Sequence, residues 1–376
     1  MRTTLVGGRV LTPNGFEPDQ SVTLERERIV AVGAPAEGKI VDLDGSLLVP
    51  GFVDLQVNGG GDVLLNDSPD ATTMAKIADA HLSFGTTSLL PTLISDTLDK
   101  AASAIAALNE TEIPGVIGLH LEGPFLSPAR KGVHDAAMFR PMDEDALALV
   151  TSLRRGRMIL TVAPEVVTPS DISQLAAAGV IVSAGHSAAT YEQVRAALDA
   201  GLVGFTHLFN GMSPLESRAP GMVGAALEDQ RAWCGVIVDN HHVHPAALKI
   251  AIAAKPKGLV LLVTDAMPPV GGVSDSFLFA GVRITCRDGR CATDQTLAGS
   301  CLDMATAVRN TVRHLGVDLA EACRMASLYP ARALGLDHQL GQIAPGYRAD
   351  LVALDDRVKV ERVWRGGSEG KVSDGP

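Results

Sequence analysis

Three side chains able to hold a divalent metal stand in separate glycine-rich segments. They are Glu122 in His120-Leu-Glu-Gly-Pro-Phe125, His186 in Ser183-Ala-Gly-His-Ser187 and His207 in Phe205-Thr-His-Leu-Phe-Asn210. One carboxylate and two imidazoles suit a first-row divalent ion with positions left open. A fourth residue, Asp265, ends the most apolar run of the chain, Gly258-Leu-Val-Leu-Leu-Val-Thr-Asp265. A carboxylate there is poorly solvated and needs a purpose. Beside a metal that acidifies water, it reads as a general base that takes a proton and returns it to a leaving amine. Singly, each histidine would read as a core or capping residue and Asp265 as a turn residue. Their shared place, at the ends of apolar runs, argues for chemistry.

Those runs are Leu47 to Asp54, Thr87 to Pro91, Val116 to Glu122, Met158 to Ala163, Val180 to His186, Gly204 to Leu208, Cys234 to Asp239 and Leu259 to Asp265. Helix-like segments separate most of them. Continuous apolar strands alternating with helices imply an α/β fold with a covered parallel sheet. Eight units, with polar residues at the strand ends, predict a (β/α)₈ TIM-type barrel whose mouth carries the site. Both chain ends are β-prone, predicting a small β-sandwich domain from residues 1–48 plus 342–376 around a barrel at 49–341. Residues 270–297 read as an inserted hairpin that could act as a flap. Within it Cys286 and Cys291 flank the turn signal Arg287-Asp-Gly-Arg290, which would set them opposite each other.

The motifs resemble the amidohydrolase superfamily and, within it, the N-acetylglucosamine-6-phosphate deacetylases. The resemblance rests on the segments quoted above and on Pro50-Gly-Phe-Val-Asp-Leu-Gln-Val-Asn-Gly59, Thr296-Leu-Ala-Gly-Ser300 and Gly341-Gln-Ile-Ala-Pro-Gly-Tyr-Arg-Ala-Asp-Leu351. It implies metal-dependent hydrolysis of the acetamide of N-acetyl-D-glucosamine 6-phosphate to glucosamine 6-phosphate and acetate, in amino-sugar catabolism and cell-wall sugar recycling. Many amidohydrolases carry His-x-His in the first strand and bind two metals; here Gln56 and Asn58 stand there. The expectation is one divalent ion per subunit, zinc first and iron or another ion as alternatives, on Glu122, His186 and His207. By the same resemblance His134 polarises the acetamide carbonyl, Arg218 holds the sugar phosphate, and Asn210, Gly211, Asp239 and His242 contact substrate. So do Val133 and the backbone of Leu297, Ala298 and Gly299. The family usually has glycine where Asn240 stands. Gln56 and His120 are expected just behind the ligands, and His241 and His244 as bystanders. The resemblance also implies a homodimer with sites near the interface.

Bulk properties narrow the alternatives. Acidic residues outnumber basic ones 43 to 32, giving a net charge of -11, which argues against nucleic acid and anionic membrane as partners. A phosphorylated amino sugar must then meet a local basic group. The N-terminus has no apolar leader and no run is long enough to span a membrane, so a cytoplasmic location is expected. Five cysteines without a CxxC pair suggest reduced thiols there, which weighs against a Cys286–Cys291 disulfide. The rival readings are N-acetylgalactosamine-6-phosphate deacetylase, another amidohydrolase reaction and a non-catalytic barrel scaffold.

Overall fold

The structure, a computed structural model, describes residues 2–293 and 296–372. Its centre is a sheet of eight parallel strands in chain order: Phe52–Val57, Thr86–Ile94, Gly118–Glu122, Arg157–Val162, Ile181–Ala184, Gly204–Phe205, Trp233–Val236 and Val260–Leu262. The first and eighth strands meet through the Asp265 amide donating to Gln56 O (3.0 Å) and the Asn58 amide to Ala266 O (2.9 Å). The Thr264 hydroxyl adds a bond to Asp54 Oδ2 at 2.6 Å. The barrel therefore closes with polar groups at the level just below its mouth.

The first apolar run divides. Leu47–Pro50 joins a six-stranded sheet and pairs antiparallel with Leu351–Leu354, while the barrel begins at Phe52. Gly51 makes the break: a Cβ there would stand 2.1 Å from Thr87 Oγ1. The alternation of a strand explains why Leu47–Pro50 is buried throughout. Leu48 faces a core shared with Leu5, Val22, Ile29, Leu351 and Trp364, whereas Leu47 and Val49 face the barrel. A four-stranded sheet of Arg2–Val6, Val22–Glu25, Arg28–Val32 and Lys39–Asp42 covers the other side of that small core, so both chain ends build a β-sandwich against the barrel.

Helices fill the connections as the periodicity predicts, and several start on the expected caps. Thr168 with Asp171 and Thr190 with Gln193 form reciprocal capping boxes. Two helices were not legible: Leu328–Ala333 after the eighth strand, and Gly221–Glu228 between the sixth and seventh. In the latter, residues Gly221 to Leu227 are all buried, so no polar face marks a period.

After the eighth strand, Ser276–Phe279, Val282–Arg287, Arg290–Ala292 and Leu297–Ser300 form an antiparallel sheet. This is the expected flap, with two more strands than a hairpin. Cys286 and Cys291 are register partners and are joined by a disulfide, contrary to the expectation of reduced thiols. Their Cα atoms lie 4.1 Å apart, so the strand pairing itself brings the sulfurs together.

Candidate metal centre and active site

Glu122 is the last residue of the third strand, while His186 and His207 follow the ends of the fifth and sixth. Their side chains converge. His207 Nε2 lies 2.8 Å from Glu122 Oε1 and 3.0 Å from His186 Nε2, and His186 Nε2 lies 3.2 Å from Glu122 Oε1. All three residues are buried. His186 and His207 have positive φ, 46° and 32°, and so does Asp265 at 52°. Non-glycine residues rarely adopt that region, and held strain of this kind gathers at functional sites.

The surroundings fix the direction of the His186 ligand atom. His186 Nδ1 donates to Arg130 O at 2.9 Å, which leaves the Nε2 lone pair facing the cluster. Gly211 makes room for this, since a Cβ on it would stand 3.0 Å from His186 Nδ1. Burial alone would raise the Glu122 pKa, but the facing His186 and His207 rings outweigh it and hold the carboxyl well below its usual range. An anionic carboxylate facing two buried imidazole nitrogens is the donor set of a divalent cation site, so the residues present fit a metal.

Asp265 stands beside this cluster. Its Oδ1 accepts from Asn58 Nδ2 at 2.7 Å and from Gln56 Nε2 at 3.1 Å. The same Gln56 amide donates to Glu122 Oε1 at 3.1 Å, tying the two carboxylates together. Burial, then the charge of Glu122, pushes the Asp265 pKa up to about 6. Gln56 is thus behind the cluster, as expected. Asn58, one of the two residues replacing His-x-His, positions Asp265, and the sequence alone did not mark that role.

A cavity of about 420 Å³ opens over these groups, lined among others by Val133, His134, Asn210, Gly211, His242, Leu297 and Gly299. His134 is buried, and burial pulls its pKa well down, so it is neutral. Its Nδ1 is 2.8 Å from Ser95 Oγ. The Ser95 hydroxyl also lies 3.1 Å from Glu122 O, to which it donates; carbonyl polarisation by Nε2–H requires that proton to turn to His134 Nδ1 instead. Asp239 does not line the cavity; its Oδ2 holds His242 Nδ1 at 2.6 Å and so orients that ring. Asn240 keeps the left-handed backbone of a glycine, with φ 65°, a conformation asparagine tolerates. His120 is engaged at both nitrogens, with Leu55 O at 2.9 Å and Thr161 Oγ1 at 2.7 Å, and takes no part in the cluster. Ala298 is fully buried behind its neighbours Leu297 and Gly299.

Arg218 is the expected residue that the fold does not bring in. It is exposed on the segment after Met212 and does not line the cavity. Sequence reasoning missed Arg290, the one lysine or arginine lining the cavity among the described residues. It arrives on the flap, whose approach to the mouth no local pattern encodes. The bystander His241 touches the flap as well, with Nε2 3.0 Å from Asp288 O, while His244 caps the helix Pro245–Ala254.

Residues 47–372 match the model of the Amidohydrolase family. The chain belongs to that family. A relative from a Shewanella species, an N-acetylgalactosamine-6-phosphate deacetylase, is 45% identical over 330 residues, covering 86% of this chain and 83% of its own. The N-acetylglucosamine-6-phosphate deacetylase of Haemophilus influenzae is 36% identical, covering 96% and 97%. The crystal structure of N-acetylglucosamine-6-phosphate deacetylase from Pasteurella multocida superposes with a TM-score of 0.95 at 33% identity, covering 99% of this chain and all of that one. The chain is thus a hydrolase of the amidohydrolase family with its barrel intact. None of the described helices is long and apolar enough to cross a membrane.

Proposed function

We propose that the protein hydrolyses the acetamide of N-acetyl-D-glucosamine 6-phosphate, releasing acetate and glucosamine 6-phosphate. The observation that carries this is the convergence of Glu122, His186 and His207 within 2.8–3.2 Å, with Asp265 in the same cavity. The named activities of the relatives select the substrate class. Glu122, His186 and His207 would hold one divalent ion, zinc in this reading, which supplies Lewis-acid polarisation of the carbonyl and acidification of water.

The chain's own residues do the rest. Two amides occupy Asp265 Oδ1, so Oδ2 is the atom that takes the proton of the attacking water and returns it to the departing nitrogen. His134 Nε2–H stabilises the charge developing on the carbonyl oxygen. His242, oriented by Asp239, and Asn210 contact the sugar and its phosphate. Arg218 acts from a second copy of the chain. In support, Leu215 at 55% and Ile250 at 62% exposure line an apolar groove beside its segment, a face suited to a homodimer. Residues 1–48 and 342–376 act as one small supporting domain for a barrel at 49–341, and the enzyme works in the cytoplasm.

A second reading, N-acetylgalactosamine 6-phosphate, is favoured by the Shewanella relative's name and 45% identity. Acetate release by zinc-loaded protein from both epimers and from unphosphorylated N-acetylglucosamine tests all of this. Fastest release from the phosphorylated gluco sugar supports the proposal. Preference for the galacto epimer transfers it to the second reading, and no release from any of the three overturns both.

A further inference from the structure

Two of the five cysteines lie on the flap and a third, Cys301, directly follows it, and their sulfurs lie within 4.8 Å of one another. Cys286 and Cys291 are bonded across two strands, and Cys301 Sγ sits 2.9 Å from Cys291 Sγ. Phe279, Ile284, Met267 and Ala298 pack around them, which shields the bond from outside thiols and favours attack by the neighbour already in place. We propose that these cysteines form an internal thiol–disulfide exchange site that sets how the flap is anchored over the active site. Cys301 Sγ bonds to Cys291 Sγ, the Cys291–Cys286 bond breaks, and its electron pair stays on Cys286 Sγ, which takes up the proton that Cys301 loses. The exchange is an isomerisation and needs no outside oxidant or reductant.

The two pairings fasten different things. Cys286–Cys291 closes the hairpin on itself. Cys291–Cys301 ties the strand Arg290–Ala292 to the residue after Ser300. Ser300 is held to the barrel mouth, its amide donating to Asp265 O at 2.9 Å and its hydroxyl to Thr264 O at 2.5 Å. Arg290 pairs with Ser300 through the backbone, and its side chain lines the Glu122–His186–His207 cavity. Moving the bond from Cys286 to Cys301 thus anchors the one flap cation of that cavity to the strand end bearing Asp265. Burial pushes the Cys301 thiol up to about 12, so little thiolate forms at neutral pH and the two forms interchange slowly enough to separate.

The chain's arginines make the pairing readable. Trypsin cuts after Arg283, Arg287 and Arg290 but nowhere between Cys291 and Cys301. Protein isolated without reductant is blocked with N-ethylmaleimide, digested and mapped by mass spectrometry. The Cys286–Cys291 form gives two linked peptides. The Cys291–Cys301 form gives one peptide lighter by two hydrogens, with Cys286 alkylated separately. Both are expected from the wild-type chain. Cys301→Ser locks the first pairing and Cys286→Ser, after mild oxidation, the second. The locked forms are expected to differ about threefold or more in KM for the phosphorylated sugar at equal metal content. Absence of the Cys291–Cys301 peptide from both wild type and Cys286→Ser overturns the exchange, and equal KM values overturn its effect on the flap. The KM comparison rests on the deacetylase reading; the peptide map does not, so the two can fail separately.

Discussion

Asp54 gives the sharpest test of how the barrel closes. It is fully buried on the first strand and accepts from Thr264 Oγ1 at 2.6 Å and from the Gln56 amide at 3.2 Å. Burial is the main reason its pKa rises from 3.8 to about 7, against the hydrogen bond from Thr264. The native state therefore holds a proton between those values that the unfolded chain has released. Stability must fall as pH rises through that window and level off above it. At about 1.4 kcal/mol per unit, a rise from 3.8 to about 7 makes the loss about 4 kcal/mol. Asp54→Asn keeps the shape and stays neutral at every pH. The variant is expected to match wild type in thermal melts at pH 4, to gain relative stability up to about pH 7 and to hold that gain at pH 8. An equal shift at both pH values, or a loss that grows with pH, would refute the claim that Asp54 is a buried carboxyl protonated below neutrality.

Three further changes address the site. Asp265→Asn should keep bound metal and lose about 10²–10⁴ in turnover; near-normal acetate release would remove it as the base. Gln56→Ala strips one donor from both Glu122 and Asp265, so metal affinity or turnover should fall about 10–100-fold, read by metal titration beside steady-state rates. Arg218→Ala should raise KM for the phosphorylated sugar about 10–100-fold, the worth of a charge-assisted hydrogen bond, with little change for the unphosphorylated sugar. Equal losses on both sugars would end the phosphate assignment.

Which residues were legible follows from the range of the interactions that place them. Glu122, His186, His207 and Asp265 could be read because each stands at or just after a strand end, where the barrel's topology alone brings them to one mouth. The break at Gly51 could not be read, because it depends on contact with Thr87, a residue of the next strand. Arg290 could not be read either: the flap's return path sets its place, and only the four-stranded pairing reveals it. The weight given to the cytoplasm in disfavouring the Cys286–Cys291 bond was a compartment argument, and local strand register outweighed it.

The same strand period that makes the ligands legible also builds the layer beneath them. Two residues before Glu122 on the same face stands His120, and two before Gln56 stands Asp54. His120 Nδ1 donates to Leu55 O, so its Nε2 accepts from the Thr161 hydroxyl; Thr161 then accepts from Thr206, and Thr206 from Ser183. Burial holds His120 neutral, with its pKa pulled to about 4, which keeps that chain of donors running in one direction. An apolar layer at this depth would leave the strand ends free to shift by rotamer changes. A fully paired polar layer fixes them, because any displacement would leave a buried donor or acceptor unsatisfied. The polar residues low in the barrel thus serve the site without touching it, by making the positions of Glu122, His207 and Asp265 costly to disturb.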